Sequence, residues 1–167
     1  MTSDFRVAAL GRPGNDILLG SDSDDTLEGA IGCDRLNGGA GNEQLTGGAS
    51  IDRFIFNTNE EFQREDVGID TITDFSQTQG DIILLDLTTF TAVNSESGTG
   101  FSIASEFATV TNDQEAATAD AIIVYNSENG NLFYNPNGSE TEFGSGGQFA
   151  TLTNIPLLEG EDFFLRS

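Results

Sequence analysis

A single large apolar residue recurs at every ninth position between residues 11 and 57. These positions are Leu18, Leu27, Leu36, Leu45 and Phe54. The residues between them are mostly polar or glycine, so each unit offers one inward-facing strand position and one turn. A fixed period of this kind predicts a solenoid of short strands, in which two nine-residue units complete one coil of 18 residues.

The pattern changes after residue 57 to short runs rich in β-branched and aromatic residues, separated by polar turns. Such runs predict strands, and they are DTITDF, DIILLDL, FSIAS, FATVTN, AIIVYN, NLFYN, QFATLT and DFFL. Asn129-Gly130 predicts a hairpin between two of them, and residues 112–121 predict one or two short helical turns. We expect this half to cap the open end of the solenoid.

Glycine and acid occupy fixed places in the nine-residue units. The first position is glycine, at Gly11, Gly20, Gly29, Gly38 and Gly47, and the sixth is acidic, at Asp16, Asp25, Asp34, Glu43 and Asp52. An 18-residue coil stacks Asp16, Asp34 and Asp52 along one edge and Asp25 and Glu43 along the other. Stacked carboxylates are tolerated when a cation lies between them, and an oxygen-rich set without histidine is the ligand chemistry of Ca²⁺.

These units resemble the RTX, or hemolysin-type, calcium-binding repeats, whose pattern is G-G-x-G-x-D-x-U-x. The later segments resemble the C-terminal domains of serralysin-type and other type I-secreted proteins. The resemblance implies an all-β fold, a parallel β-roll of two short sheets that is capped by a C-terminal antiparallel, β-sandwich-like region. It divides the chain into a lead-in (1–10), the β-roll (11–57) and a cap with a C-terminal type I secretion signal (58–167).

The resemblance also implies that Ca²⁺ lies between adjacent coils, held by the sixth-position carboxylates and by backbone carbonyls of the five glycine turns. It pairs Asp16 with Asp34, Asp34 with Asp52, and Asp25 with Glu43, for about two or three ions. Glu43 departs from the family pattern, because its side chain is one methylene longer than that of aspartate. Asp70, Asp74 and Asp81 flank the first strand pair of the cap and are candidates for one further ion; the alternative is that they are solvated acids that end strands.

The formal net charge is −22, from 28 acids and six arginines. Self-repulsion of this size opposes compaction until cations neutralise part of it, so we expect folding to depend on calcium. The charge argues against nucleic acid or anionic lipid as a partner, and no apolar run reaches membrane-spanning length. MTSDFRVAAL lacks the basic start and apolar core of a signal peptide. The resemblance therefore implies an extracellular protein exported by type I machinery that reads an uncleaved C-terminal signal.

The absence of histidine excludes a zinc-protease site and a Ser-His-Asp triad. We expect no enzymatic activity, although a paired-carboxylate hydrolase remains open because acids are abundant. A calcium-dependent adhesion or matrix module, with an extracellular protein or glycan partner, is the other alternative.

Overall fold

The computed structural model describes residues 6–167, which fold almost entirely into β-structure. The repeat region contains β1 (Ala8–Leu10), β2 (Ile17–Leu19), β3 (Thr26–Glu28), β4 (Arg35–Asn37), β5 (Gln44–Thr46) and β6 (Arg53–Phe56). The remainder contains α1 (Arg64–Val67), β7 (Asp70–Ile72), β8 (Ile82–Asp86), β9 (Gly98–Thr99), β10 (Phe107–Val110), α2 (Asp113–Ala116), β11 (Ile123–Asn126), β12 (Asn131–Tyr134), β13 (Gly147–Leu152) and β14 (Phe163–Arg166).

Successive strands of the repeat region alternate between two sheets. The eight-stranded sheet has the order β1-β3-β5-β7-β13-β12-β11-β10, and the six-stranded sheet has the order β2-β4-β6-β8-β14-β9. Within the repeats every pairing is parallel and joins residues 18 positions apart, as Leu18 pairs with Leu36 and Leu36 with Phe54. This register confirms the predicted coil of 18 residues and the parallel β-roll.

The middle residue of each repeat strand faces the space between the two sheets. Leu27, Leu36, Leu45 and Phe54 are completely buried, whereas Leu18, in the outermost coil, is only partly buried against the same core. The eighth position of the repeat is therefore the core position, as the apolar period predicts.

The C-terminal part continues both sheets of the roll. β7 and β8 pair in parallel with β5 and β6, and β13 and β14 pair in parallel with β7 and β8. Antiparallel pairing joins β12 to β11 and β13, and β14 to β9. The predicted hairpin at Asn129-Gly130 joins β11 to β12, and Gly130 has the positive φ of 79° that this turn requires. The cap thus mixes parallel and antiparallel strands, and its sheets are those of the roll.

One predicted strand is wrong. The run FSIAS forms no strand, and residues 104–106 form a 3₁₀ turn. The Ile103 amide donates to the Ser95 hydroxyl, and the buried Glu106 carboxylate accepts from the amides of Asn94 and Ser95. Polar contacts with residues 94–95 therefore replace the strand ladder.

The two ends of the repeat region also hold features that the pattern did not indicate. β1 lies in the predicted lead-in and pairs with β3, so half a coil precedes Gly11; residues 1–5 of the lead-in lie outside the described residues. The helix α1 follows the last repeat and buries Val67. The predicted helical turn within 112–121 is confirmed as α2, which Asn112 caps by accepting from the Glu115 amide. Over residues 6–167 no helix has the length and apolar character to cross a membrane.

Candidate metal centre

One edge of the roll carries a ladder of four aspartates. The amide of Asp16 donates to Asp34 Oδ1 at 2.7 Å, that of Asp34 to Asp52 Oδ1 at 2.8 Å, and that of Asp52 to Asp81 Oδ1 at 2.9 Å. The structure therefore stacks the three predicted aspartates in the predicted order. It adds Asp81 at the next coil, because β8 pairs with β6 as one more roll strand.

The second oxygen of Asp16, Asp34 and Asp52 lies against the glycine that opens each unit, whereas Oδ2 of Asp81 accepts from the Ser76 amide at 2.8 Å. A Cβ atom built on Gly29 would lie 2.4 Å from Asp34 Oδ2 and 2.5 Å from the carbonyl oxygen of Gly47, one coil further on. A Cβ atom built on Gly11 would lie 2.9 Å from Asp16 Oδ2 and 2.3 Å from the Gly29 carbonyl oxygen. Carboxylate and carbonyl oxygens thus converge beside Gly11, Gly20 and Gly29, where no side chain fits.

Two of these carboxylate oxygens are buried and have no hydrogen-bond partner, Oδ2 of Asp34 and Oδ2 of Asp52. Asp34 is 1% exposed and Asp52 is completely buried. A buried carboxylate oxygen without a partner costs free energy, and a cation removes that cost.

The other edge stacks Asp25, Glu43 and Asp70 in the same way but with a break at Glu43. Asp25 Oδ1 accepts from the Val7 amide, and Asp70 Oδ1 accepts from the Glu43 amide at 3.2 Å. Both carboxylate oxygens of Glu43 are buried and accept from no N–H group, and the Asp70 carboxyl lies within interaction range of them. They point back into their own turn, since Cβ atoms on Gly38 and Gly41 would lie 2.4 Å from Oε2 and 2.6 Å from Oε1.

Val7 occupies the sixth position in the half coil before Gly11. Within the described part of the chain, the second edge therefore begins with an apolar residue, and the stacking position before Asp25 holds no carboxylate.

The structure does not bring Asp70, Asp74 and Asp81 into one cluster, although Asp74 lies near enough to Asp81 to raise its pKa. Asp70 joins the second edge and Asp81 the first, while Asp74 accepts from the amides of Gly47 and Gly48 at 2.8 and 2.7 Å. Across residues 6–167, no group of three or more His, Cys, Asp or Glu side chains could hold a metal ion. Any ion at the ladders therefore needs backbone carbonyls among its ligands.

The sequence carries a weaker signal for Asp70 and Asp81, which lie outside the strict nine-residue repeat. Asp70 and Asp81 each stand two positions before a buried strand residue, Ile72 and Ile83, as the sixth position stands before the eighth. Neither acid has a glycine five residues before it, where the repeat has its first position. Neither segment therefore shows the full repeat pattern.

Burial governs the ionisation of the ladder acids. Burial is the main cause that raises the pKa of Asp52 to about 6. A hydrogen bond from the Asp34 amide lowers this pKa, and the neighbouring carboxylates of Asp81 and Asp34 raise it. Burial likewise raises the pKa of Glu43 and Asp81, and it raises that of Asp70 well above its usual range, with Glu43 adding to the effect. Burial thus disfavours the ionised form of these carboxyl groups, and a bound cation would stabilise that form.

The donor set fits a hard cation. It consists of carboxylate and carbonyl oxygens and contains no histidine and no sulfur: the single cysteine, Cys33, is exposed and unpaired. Oxygen ligands in a flexible arrangement suit Ca²⁺ better than a metal that prefers nitrogen or thiolate. The ladder carboxylates and the turn carbonyls of the opening glycines would hold it.

Comparisons with known proteins agree with this chemistry. The family model of the RTX calcium-binding nonapeptide repeat matches in four copies, over residues 10–42 and 20–54. The solution structure of the AlgE6R3 subunit from the Azotobacter vinelandii mannuronan C5-epimerase is similar over 98% of this chain and 80% of that chain, with a TM-score of 0.58 and 23% identity. That likeness shows a shared fold. No curated protein sequence is significantly similar to this chain.

Proposed function

We propose that this chain, whose residues 10–54 are RTX calcium-binding nonapeptide repeats, is a module that folds on binding Ca²⁺ outside the cell after export in an unfolded state. The observation that supports this most is the set of buried carboxylate oxygens without partners, on Asp34, Glu43 and Asp52. Beside Gly29, Oδ2 of Asp34 converges with the carbonyl oxygen of Gly47, and the oxygens of Glu43 and Asp52 lie beside the opening glycines of their own units. A chain that buries such groups gains stability only when a cation is present.

The magnitudes suit a conditional fold. Extracellular calcium modules bind with dissociation constants down to about 10⁻⁴ M, so millimolar Ca²⁺ adds roughly 1.4 kcal/mol for each such site. Three sites would contribute about 4 kcal/mol, a large part of the stability of an ordinary domain. Cytosolic calcium is too low to supply this, so the same chain would remain unfolded before export.

The C-terminal segment supports export before folding. The proposed type I signal, EGEDFFLRS, overlaps β14, in which Phe163 and Leu165 are completely buried. Arg166 also pairs with Asp86 at 2.7 Å and holds this strand to β8. Export machinery could therefore read these side chains only while the chain is unfolded.

We propose no catalytic role for the chain. Three surface cavities formed by residues 6–167 are lined by none of the carboxyl groups with raised pKa values, which are Glu43, Asp52, Asp70 and Asp81. A carboxylate hydrolase would need such a group facing a substrate pocket.

The test is a Ca²⁺ titration of metal-free protein followed by far-ultraviolet circular dichroism, with Mg²⁺ as a control cation. We expect a cooperative gain of β signal between micromolar and millimolar Ca²⁺, and none with Mg²⁺. A full β signal in chelator would contradict the proposal. Export is tested separately, by asking whether residues 58–167 direct a passenger out of a cell that expresses a type I system and whether deletion of residues 159–167 stops it.

A further inference from the structure

Two arginines stand side by side on the outer face of the six-stranded sheet. Arg35 in β4 and Arg53 in β6 are register partners, so their backbones are one strand spacing apart, about 4.8 Å. The next residues, Leu36 and Phe54, are completely buried in the core. Because side chains alternate along a strand, both arginine side chains point outward.

Neither guanidinium has a partner among residues 6–167. The ion pairs among residues 6–167 are Arg6 with Asp24 and Arg166 with Asp86, and in the same range no hydrogen bond involves the side chain of Arg35 or Arg53. This is unexpected in a chain with 28 acids. Like charges directly opposite on neighbouring strands destabilise a sheet, so the pair adds nothing to stability and keeps all its donors available.

The arginines line a cavity of about 370 Å³ at the outer corner of the roll. Ile17 and Ile51 contribute apolar surface and are 68% and 47% exposed, and Cys33 also lines the cavity. The volume lies within the range of small-ligand sites. The two arginines therefore border a concave surface that also carries apolar side chains.

We propose that this cavity, which we call the arginine cleft, binds a ligand with two neighbouring carboxylate groups; Asn15, Asp16 and Asp34 complete its lining. The planar fork of each guanidinium matches a carboxylate in bidentate geometry. Two forks on adjacent strands match carboxylates on the order of 5 Å apart. Such groups occur both in free dicarboxylates and along polymers of uronic acids.

Calcium at the ladder favours this binding. Asp16 and Asp34 also line the cleft, and their negative charge opposes an anionic ligand until a cation neutralises it. The remaining negative charge of the chain also opposes an anionic ligand, so the attraction must come from the arginine pair at short range, since ionic screening limits exposed charges to about 8 Å at physiological ionic strength. The inference therefore rests on the proposed function, because it requires Ca²⁺ at the ladder. We expect the anion and Ca²⁺ to strengthen each other's binding.

The test measures binding of succinate and of a short oligogalacturonate to the folded protein by calorimetry, with free Ca²⁺ held constant. Circular dichroism of the same samples reports folding independently, so a failure of calcium-driven folding is distinguishable from a failure of the cleft. We expect wild type to bind at least one probe and R35Q/R53Q to bind it at least about tenfold more weakly. The matched variant R6Q/R12Q makes the same change of net charge and should bind as wild type does.

Cys33 provides a second readout, because it is the only cysteine in the chain and is exposed in the cleft. The bound probe should slow its alkylation in wild type and R6Q/R12Q but not in R35Q/R53Q. Binding of succinate identifies a free dicarboxylate as the ligand type, and binding of the oligomer alone identifies a polymer. Absence of binding by wild type to both probes, or equal binding by both double variants, would overturn the proposal.

Discussion

The two edges of the roll place acids at the same repeat position, but their carboxylates make different contacts. On the first edge three successive amides donate to the Oδ1 atoms of Asp34, Asp52 and Asp81 over 2.7 to 2.9 Å. On the second edge Glu43 stands between Asp25 and Asp70, and both of its oxygens lack a partner. The backbone register is the same on both edges.

The difference follows from one methylene group. Aspartate is short enough to give one oxygen to the coil before it and to leave the other beside its own glycine turn. The longer side chain of Glu43 folds back, and both oxygens lie within the turn formed by Gly38 to Gly41. We infer that the first edge is the better organised calcium ladder, and the predictions below either break it or repair its counterpart.

The largest effect is expected from G29A, which blocks the first edge by sterics alone. Its Cβ would lie 2.4 Å from Asp34 Oδ2 and 2.5 Å from the Gly47 carbonyl oxygen. Because backbone cannot move without disturbing the coil, we expect a loss of about 3 kcal/mol in the free energy of unfolding. Urea denaturation in saturating Ca²⁺ measures it.

G160A is the matched control for that experiment, since its nearest neighbour would be a Phe101 ring atom at an ordinary 3.6 Å. It should change stability by less than about 1 kcal/mol. Equal losses in the two variants would show that the glycine turn of the roll has no special steric requirement.

D34N should weaken the first edge through charge while keeping its shape. The amide removes a negative ligand that two neighbouring coils share, so we expect the Ca²⁺ midpoint of folding to rise about tenfold, equivalent to about 1.4 kcal/mol. The titration by circular dichroism measures the midpoint. D22N alters an exposed acid outside both ladders, and a midpoint shift as large in D22N would mean that total charge alone sets the calcium requirement.

E43D should repair the second edge. The shorter side chain can adopt the aspartate geometry of the first edge, which would raise calcium-bound stability by about 1 kcal/mol. The reverse change, D34E, should lower it by a similar amount. Thermal unfolding in saturating Ca²⁺ compares the three proteins, and a loss in E43D would show that Glu43 is already the better ligand at its site.

Acidification acts on both edges together and gives the smallest effect. The folded-state pKa of Asp52 is raised to about 6 from an ordinary 3.8, so between these values the folded state holds more protons and stability falls as pH rises. This loss continues as pH rises through 6, so metal-free protein that a stabilising osmolyte holds folded should melt about 1 °C higher at pH 6 than at pH 7. Saturating Ca²⁺ should remove the difference, because the ion keeps Asp52 deprotonated. The same difference with and without Ca²⁺ would separate Asp52 from the calcium site.

The period of nine residues was sufficient to predict the roll, its core and the stacking order of the acids. Each depends on local spacing, since Leu36 and Asp34 reach their neighbours through a register of 18 residues that the sequence itself repeats. The hairpin at Asn129-Gly130 is likewise local. These features need no information from distant parts of the chain.

The features that the sequence did not predict depend on contacts between residues that are far apart in the chain. Asp70 and Asp81 join the ladders only because β7 and β8 add a further coil across 27 and 29 residues, a spacing that the repeat does not contain. The run FSIAS has strand composition, yet Glu106 and Ser95 hold its backbone in a turn. Arg35 and Arg53 look like ordinary polar positions until the register places them together.

The most direct test of the calcium ladder is a crystal structure of the calcium-loaded protein with anomalous difference density for the ion. We expect peaks between coils, 2.3 to 2.6 Å from the Oδ2 atoms of Asp34 and Asp52 and from carbonyl oxygens of the glycine turns, as calcium coordination requires. Weaker density is expected beside Glu43. Peaks confined to exposed acids, with none beside Gly29 or Gly47, would contradict the account.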